Sequence, residues 1–230
     1  MHLFNRSLSV LAIGLALSIS AHAQLLLSGS TTGEFVDLSE ANTTVNNAAD
    51  GSWATFHTGV PVSGSTQSKI EFTNVDFTDV GSGEPIQVGL FKITNGMTKI
   101  GSGAHTAQFN VGLELTGPVM QSLAIASIMF HIDHTPNIVG AIPDTFSVSF
   151  AQPAPTKIQN TLVQFHVNVD PLDFQVAENA TVTKGDITVS FTPVPEASTY
   201  ALCGSAMLLG LAGYRRMRGK FTSVAAVAAA

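Results

Sequence analysis

The chain has 230 residues, of which 45% are hydrophobic and only 11% are charged, and its mean hydropathy is +0.30. This length fits one β domain or two small ones, and the low charge is not typical of a cytosolic globular protein. Residues 24–196 contain five lysines, no arginine and sixteen acidic residues, a formal net charge of −11 (5 − 16). Such an acidic surface argues against nucleic acid and anionic lipid as partners.

The first 23 residues have the pattern of a secretory signal peptide. A short, weakly basic start precedes an apolar core at residues 8–17, which has the length usual for such signals. Ala21 and Ala23 then supply the small-x-small sequence after which signal peptidase cleaves. We therefore expect residues 1–23 to be removed on export, the alternative being an anchor that stays in the membrane.

The C-terminal part of the chain predicts one transmembrane helix. Residues 197–214 contain no charged side chain, and eighteen helical residues span roughly 27 Å, close to the thickness of a hydrocarbon core. Arg215, Arg216 and Arg218 follow, and positive charge stays on the cytoplasmic side. This basic stop predicts that residues 221–230 form a cytoplasmic tail and that the domain before the helix lies outside.

Immediately before this helix stand Val194, Pro195 and Glu196. The chain here resembles the PEP-CTERM sorting signal, in which such a motif, an apolar helix and an arginine cluster follow one another. The signal would cover residues 193–220. Ala197 departs from the family pattern, since a second proline is usual there. The resemblance implies processing by an exosortase, a membrane cysteine transpeptidase, in hosts that secrete exopolysaccharide. The alternative is a plain single-pass anchor.

The same resemblance predicts where the protein resides. The exported chain would be held transiently in the bacterial inner membrane and then released to the cell surface or the extracellular space. Its expected partners are the exosortase-type transpeptidase, the inner membrane before processing and extracellular polysaccharide, with no nucleic acid.

The region between the ends predicts an all-β fold. Alternation with period two, typical of half-buried strands, recurs at residues 69–73, 87–94, 108–116, 145–150, 162–169 and 186–191. Residues 123–132 are apolar, and their neighbors favor a buried strand over a short helix. Asn95 and Gly96 predict a tight hairpin turn. Without any amphipathic helix, we expect residues 24–192 to form an antiparallel β-sandwich or jelly roll.

Several short motifs in this region also resemble the choice-of-anchor K type of bacterial surface domain. They are residues 33–35, 64–72, 88–91 with 94–96, and 135–137 followed by Asp144. The resemblance implies an architecture shared among proteins with different C-terminal anchors, and it implies no defined activity.

Two groups of residues raise the question of a bound metal, although no cofactor is predicted. On a strand, His131 and Asp133 share one face and His134 points the other way, so a zinc or copper site would need His57, His105 or His166 as a further ligand. We favor a strand that ends and enters a turn. Calcium, the one cofactor alternative, would use oxygen-rich loops at Asp76, Asp79 and Glu84 or at Asp170 and Asp173.

The expected function is a non-enzymatic, structural or adhesive component of an extracellular polysaccharide matrix. One alternative is a carbohydrate-binding module, which requires an exposed aromatic platform around Trp53; Phe56 and His57 lie beside it in sequence. A lone tryptophan in a β domain is, however, more often a core residue, and we expect that here. The other alternative is a glycan hydrolase with two opposed carboxylates in a cleft. No exported cysteine nucleophile is available, since Cys203 lies in the apolar C-terminal run.

Overall fold

The computed structural model describes residues 25–99, 103–135, 143–170, 172–184, 186–195, 204–211 and 213–214. Several of the residues singled out above lie outside these ranges: Ala21, Ala23, Glu196, Arg215, Arg216 and Arg218. The predicted signal peptide and cytoplasmic tail lie outside them as well.

The described residues are mostly β-strand in antiparallel sheets, which confirms the all-β prediction. The strands are β1 (Leu27–Val36), β2 (Thr43–Asn47), β3 (Trp53–Thr58), β4 (Ser68–Thr73), β5 (Asp76–Val80), β6 (Ile86–Gln87), β7 (Leu90–Thr94), β8 (Ala104–Gly117), β9 (Gln121–Asp133), β10 (Asp144–Phe150), β11 (Thr156–Ile158), β12 (Thr161–Val169), β13 (Asp173–Val176), β14 (Thr181–Lys184) and β15 (Ile187–Pro193).

The chain divides into two compact units. The first comprises the chain up to Ala154 together with Phe165–Thr192, and the second comprises Pro155–Gln164 together with the chain from Pro193 onward. The first unit contains a six-stranded sheet in the order β13-β10-β9-β8-β1-β5 and a five-stranded sheet in the order β14-β7-β4-β3-β2. In the second unit, β11 pairs with the beginning of β12.

Phenylalanine side chains from both sheets of the first unit form its core. Phe109 on β8 lies 4.8 Å from Phe72 on β4 and 5.1 Å from Phe91 on β7, measured between ring centroids. Phe35 on β1 contacts Phe56 on β3 at 5.8 Å. All five rings are at most 2% exposed. The two sheets therefore pack face to face, as the sandwich prediction requires.

Close packing of these rings depends on two glycines. A Cβ atom at Gly33 would overlap the ring of Phe109, and one at Gly89 would overlap the ring of Phe72. The single strand predicted at residues 87–94 is wrong. Residues 88–89 separate two strands, of which β6 pairs with β15 whereas β7 joins the five-stranded sheet.

The hairpin turn predicted at Asn95 and Gly96 is also wrong. Asn95 is fully buried, its backbone N–H donates to the carbonyl of Ala180, and its side-chain amide donates to the carbonyl of Val176 at 2.7 Å. Asn95 thus ties the end of β7 to the chain before β14 instead of reversing β7. The other predicted strands are confirmed within a few residues at their ends, including the buried strand at 123–132.

Removing the Phe109 ring is expected to destabilize the first unit strongly, because its contacts connect three strands of two sheets. We expect Phe109→Ala to lower the free energy of unfolding by about 3–5 kcal/mol, measured by denaturant unfolding. The matched control is Met120→Ala, since Met120 is 88% exposed; it should change stability by less than about 0.5 kcal/mol. Equal effects of the two substitutions would contradict this assignment of the core.

Candidate functional site

The outward-facing side of the five-stranded sheet carries an exposed tryptophan. Alternation along β3 buries Ala54, Phe56 and Thr58 and turns the intervening side chains outward. Trp53 is 47% exposed, so its interpretation as a core residue is wrong. Phe56 belongs to the core, and the two aromatic residues do not form one platform.

Strand register places the outward side chains of β3, β4 and β7 in three rows. Each row crosses the strands in turn: Trp53 with Thr73 and Leu90, Thr55 with Glu71 and Lys92, and His57 with Lys69 and Thr94. We call these nine residues the Trp53 face. Leu90 is 44% exposed, and it lies two strands from the tryptophan, about 10 Å away. The face is therefore mostly polar, with two apolar side chains at one end.

The charges of the Trp53 face differ from those of the rest of the domain. The Glu71 carboxylate lies between the ammonium groups of Lys69, at 3.0 Å, and Lys92, at 3.8 Å. Two of the five lysines between residues 24 and 196 are therefore on this face, against one carboxylate. Within a strongly acidic region, these nine residues therefore carry a formal net charge of +1 with His57 neutral.

Burial lowers the pKa of His57 from its ordinary value of 6.5; Lys69 lowers it further, and Glu71 raises it. Because the folded pKa lies below the unfolded one, the unfolded state binds more protons between the two values. His57 therefore makes the folded state less stable as the pH falls below 6.5, and this effect is complete below the folded pKa.

A groove on the six-stranded sheet is lined by polar side chains, including three carboxylates. Its volume is about 350 Å³, and its polar lining residues are Thr32, Glu34, Asp50, Asn110, Glu114 and Ser122. Glu34 pairs across the strands with Asn110, and Glu114 lies four residues further along β8, about 13 Å away. Glycosidase carboxylates lie about 5–9.5 Å apart, a shorter distance than this separation of the Glu34 and Glu114 backbone positions.

The histidine cluster at residues 131–134 divides as the strand alternation predicts. His131 and Asp133 are exposed, and the His131 ring contacts the hydroxyls of Thr106 and Ser149 at 3.3 Å. His134 points inward, and its Nδ1 lies 2.7 Å from the carboxylate of Asp144. Sequence reasoning missed this pair, although strong alternation in β9 and β10 was a signal that the two strands are neighbors.

The loops proposed for calcium do not assemble a site among the described residues. Glu84 accepts a hydrogen bond from the backbone N–H of Gly81, and Asp79 contacts the Ser28 hydroxyl. Nowhere in the described part of the chain do three or more histidine, cysteine, aspartate or glutamate side chains form a group able to hold a metal ion. Asp76, Asp170 and Asp173 are included in that statement.

The segment that carries the predicted sorting motif begins inside a strand. β15 continues through Pro193, and the backbone N–H of Val194 donates to the carbonyl of Leu162 at 2.7 Å. Val194 is therefore joined to β12 by a backbone hydrogen bond. Pro195, the next residue, is exposed.

Part of the predicted transmembrane segment is described, and it is helical at residues 204–211 and 213–214. Its large apolar side chains are 59–75% exposed: Met207, Leu208, Leu209, Leu211 and Tyr214. In the portion of the chain that the structure describes, no helix has both the length and the apolar character needed to cross a membrane.

Comparison with known proteins adds no family assignment: no protein-family model and no curated protein matches the sequence. Both resemblances described above therefore rest on the motifs themselves.

The two charged neighbors of His57 are expected to shift its pKa in opposite directions. Lys69→Gln removes a positive charge and should raise the His57 pKa, whereas Glu71→Gln removes a negative charge and should lower it. The measurement is an NMR titration of the His57 ring protons in the two variants and the wild type. Shifts of the same sign would show that the rows of the Trp53 face are misassigned.

Proposed function

We propose that this chain is an exported cell-surface or extracellular-matrix protein with a structural or adhesive role, and that it attaches to exopolysaccharide through the Trp53 face. The exposure of Trp53 carries the proposal. Rows of polar side chains suit hydroxyl-rich polymers, and an aromatic ring supplies a surface on which a sugar ring stacks. Lys69 and Lys92 favor an acidic polysaccharide.

A carbohydrate-binding module is the second candidate, and the same exposed tryptophan favors it. The difference lies in the ligand. A dedicated module binds a defined oligosaccharide at one saturable site, whereas a matrix component holds a polymer through repeated weak contacts. Binding of short, purified oligosaccharides with one-to-one stoichiometry would favor the module.

Export and sorting form the other half of the proposal. Residues 1–23 would be cleaved as a signal peptide after Ala23, and an exosortase would act at Val194, Pro195 and Glu196. Support comes from the exposed position of Pro195 directly after the last strand. The exposed apolar helix that follows gives further support, because such side chains are stable in a lipid environment. Arg215, Arg216 and Arg218 would keep the tail in the cytoplasm.

Trp53→Ala is expected to weaken retention of the purified chain on immobilized alginate, an acidic polysaccharide, by about tenfold, as when a central aromatic contact is lost. Met120→Ala is the control, because Met120 is exposed and lies outside the Trp53 face. Replacing both Lys69 and Lys92 by glutamine should reduce retention on alginate more than on neutral dextran. Unchanged retention of the Trp53 variant on both polymers would refute binding by this face.

Substituting Pro195 and Glu196 by alanine is expected to block removal of the tail in a host that has an exosortase. The reason is that a membrane-embedded enzyme reaches only the short segment beside the membrane, and these residues would be its recognition element. Intact-mass analysis should find a longer, membrane-bound variant and a shortened wild-type protein. A host without exosortase is the control, and there both proteins should keep the tail. Wild-type surface protein that retains residues 201–220 in the first host would contradict the sorting proposal.

A further inference from the structure

Unpartnered polar atoms concentrate at one end of the first unit. Five buried side-chain nitrogen or oxygen atoms in the described residues have no hydrogen-bond partner, and two of them are the Nε2 atoms of His105 and His134. A third is Oγ1 of Thr58, which directly precedes Gly59, a residue next to His134. Buried polar atoms are rarely left unpaired, so this concentration requires a physical explanation.

His105 and His134 have the same arrangement of contacts. Nδ1 of His105 lies 3.3 Å from the Glu40 carboxylate, and Nδ1 of His134 lies 2.7 Å from the Asp144 carboxylate. The two imidazole side chains are 8% and 2% exposed, and their ring centroids are 5.6 Å apart. A carboxylate at Nδ1 selects the tautomer with its proton on that atom, which leaves a lone pair on each Nε2.

Other donors hold the two carboxylates in place. Asp144 is 1% exposed and accepts hydrogen bonds from both the backbone N–H and the hydroxyl of Thr135, at 2.8 and 3.0 Å. Glu40 accepts a hydrogen bond from the backbone N–H of Thr106 at 3.2 Å. Each carboxylate therefore fixes the orientation of the imidazole whose Nδ1 it contacts. The same arrangement occurs in metal sites, where a carboxylate accepts a hydrogen bond from a histidine ligand.

Gly59 packs closely against Nε2 of His134. A Cβ atom at position 59 would lie 3.4 Å from Nε2 and 2.5 Å from a methyl carbon of Thr98. The backbone of Gly59 has φ of +82°, a conformation that disfavors any larger residue. Glycine at this position therefore lets the chain approach the ring of His134 with no side chain between them.

The net charge of this cluster also favors a bound cation. Glu40 and Asp144 carry two formal negative charges, and within the described residues their ion-pair partners are these two imidazoles. With both histidines neutral, the cluster has a charge of −2. A divalent cation between the imidazoles would neutralize it.

We propose that His105 and His134 bind one divalent transition-metal ion through their Nε2 atoms, with Cu²⁺ bound most tightly. Two imidazoles on one ion, each with a metal–nitrogen distance of about 2.0–2.1 Å, have ring centroids on the order of 5–6 Å apart, which agrees with the observed separation. Imidazole ligands suit copper, zinc and nickel, and divalent affinity peaks at copper. The protein supplies two ligands, and water or a small anion completes the coordination.

The test is binding of Cu²⁺ to the full chain, stripped of metal with EDTA and purified in mild detergent. Every variant carries His2→Ala, because a histidine second from the amino terminus binds Cu²⁺ by itself. Calorimetry should give one ion per chain, and electron paramagnetic resonance should show coupling to histidine nitrogen. His105→Gln and His134→Gln should abolish this site, and Asp144→Asn should weaken it about 10–100-fold.

His131→Gln and His166→Gln are matched controls, because both histidines are exposed and contact hydroxyl groups. They should bind Cu²⁺ like the parent. Circular dichroism melts show whether each variant is folded, and the nitrogen coupling of the parent tests the proposal even where a variant is not. A parent without stoichiometric binding, a spectrum without histidine nitrogen, or undiminished binding in folded His105 and His134 variants would overturn the proposal.

Discussion

The first unit depends on the contact of Phe109 with the phenylalanines of the facing sheet. The Phe109 ring lies 4.8 Å from the ring of Phe35, on the neighboring strand β1, and 4.8 Å from the ring of Phe72, in the facing sheet. It therefore contacts side chains of both sheets. The exported domain would have no disulfide, since Cys203 is the chain's one cysteine. Burial of aromatic area must therefore supply much of the stability. Gly33 leaves the room that this ring needs.

Sequence reasoning predicted the features that follow from local alternation. Alternation with a period of two was sufficient to predict the strands at residues 69–73 and 108–116. It was also sufficient to predict that His131 and His134 point in opposite directions. Reasoning failed where a contact distant in sequence decides the structure. The pairing of β6 with β15, about 100 residues further along the chain, separates residues 86–87 from β7 and divides one apparent strand into two. Similarly, the chain around residues 176–180 binds Asn95 where a hairpin turn was expected.

The histidine pair was beyond sequence reasoning for a related reason. His105 begins β8, His134 follows β9 and Asp144 begins β10, so three neighboring strands bring the residues together. Their separations of 29 and 10 residues have no periodic relation that marks a site. The visible signal was the alternation that turns His134 inward, where a polar ring needs a partner.

Exposure of Trp53 is a consequence of burying its neighbors. Phe56 contacts Phe35 in the core, and Ala54 is fully buried, so residue 53 must face outward on a pleated strand. A register shift of one residue would bury the tryptophan but would expose Phe56 and break its contact with Phe35. The core thus fixes the tryptophan on the surface, beside lysines and threonines.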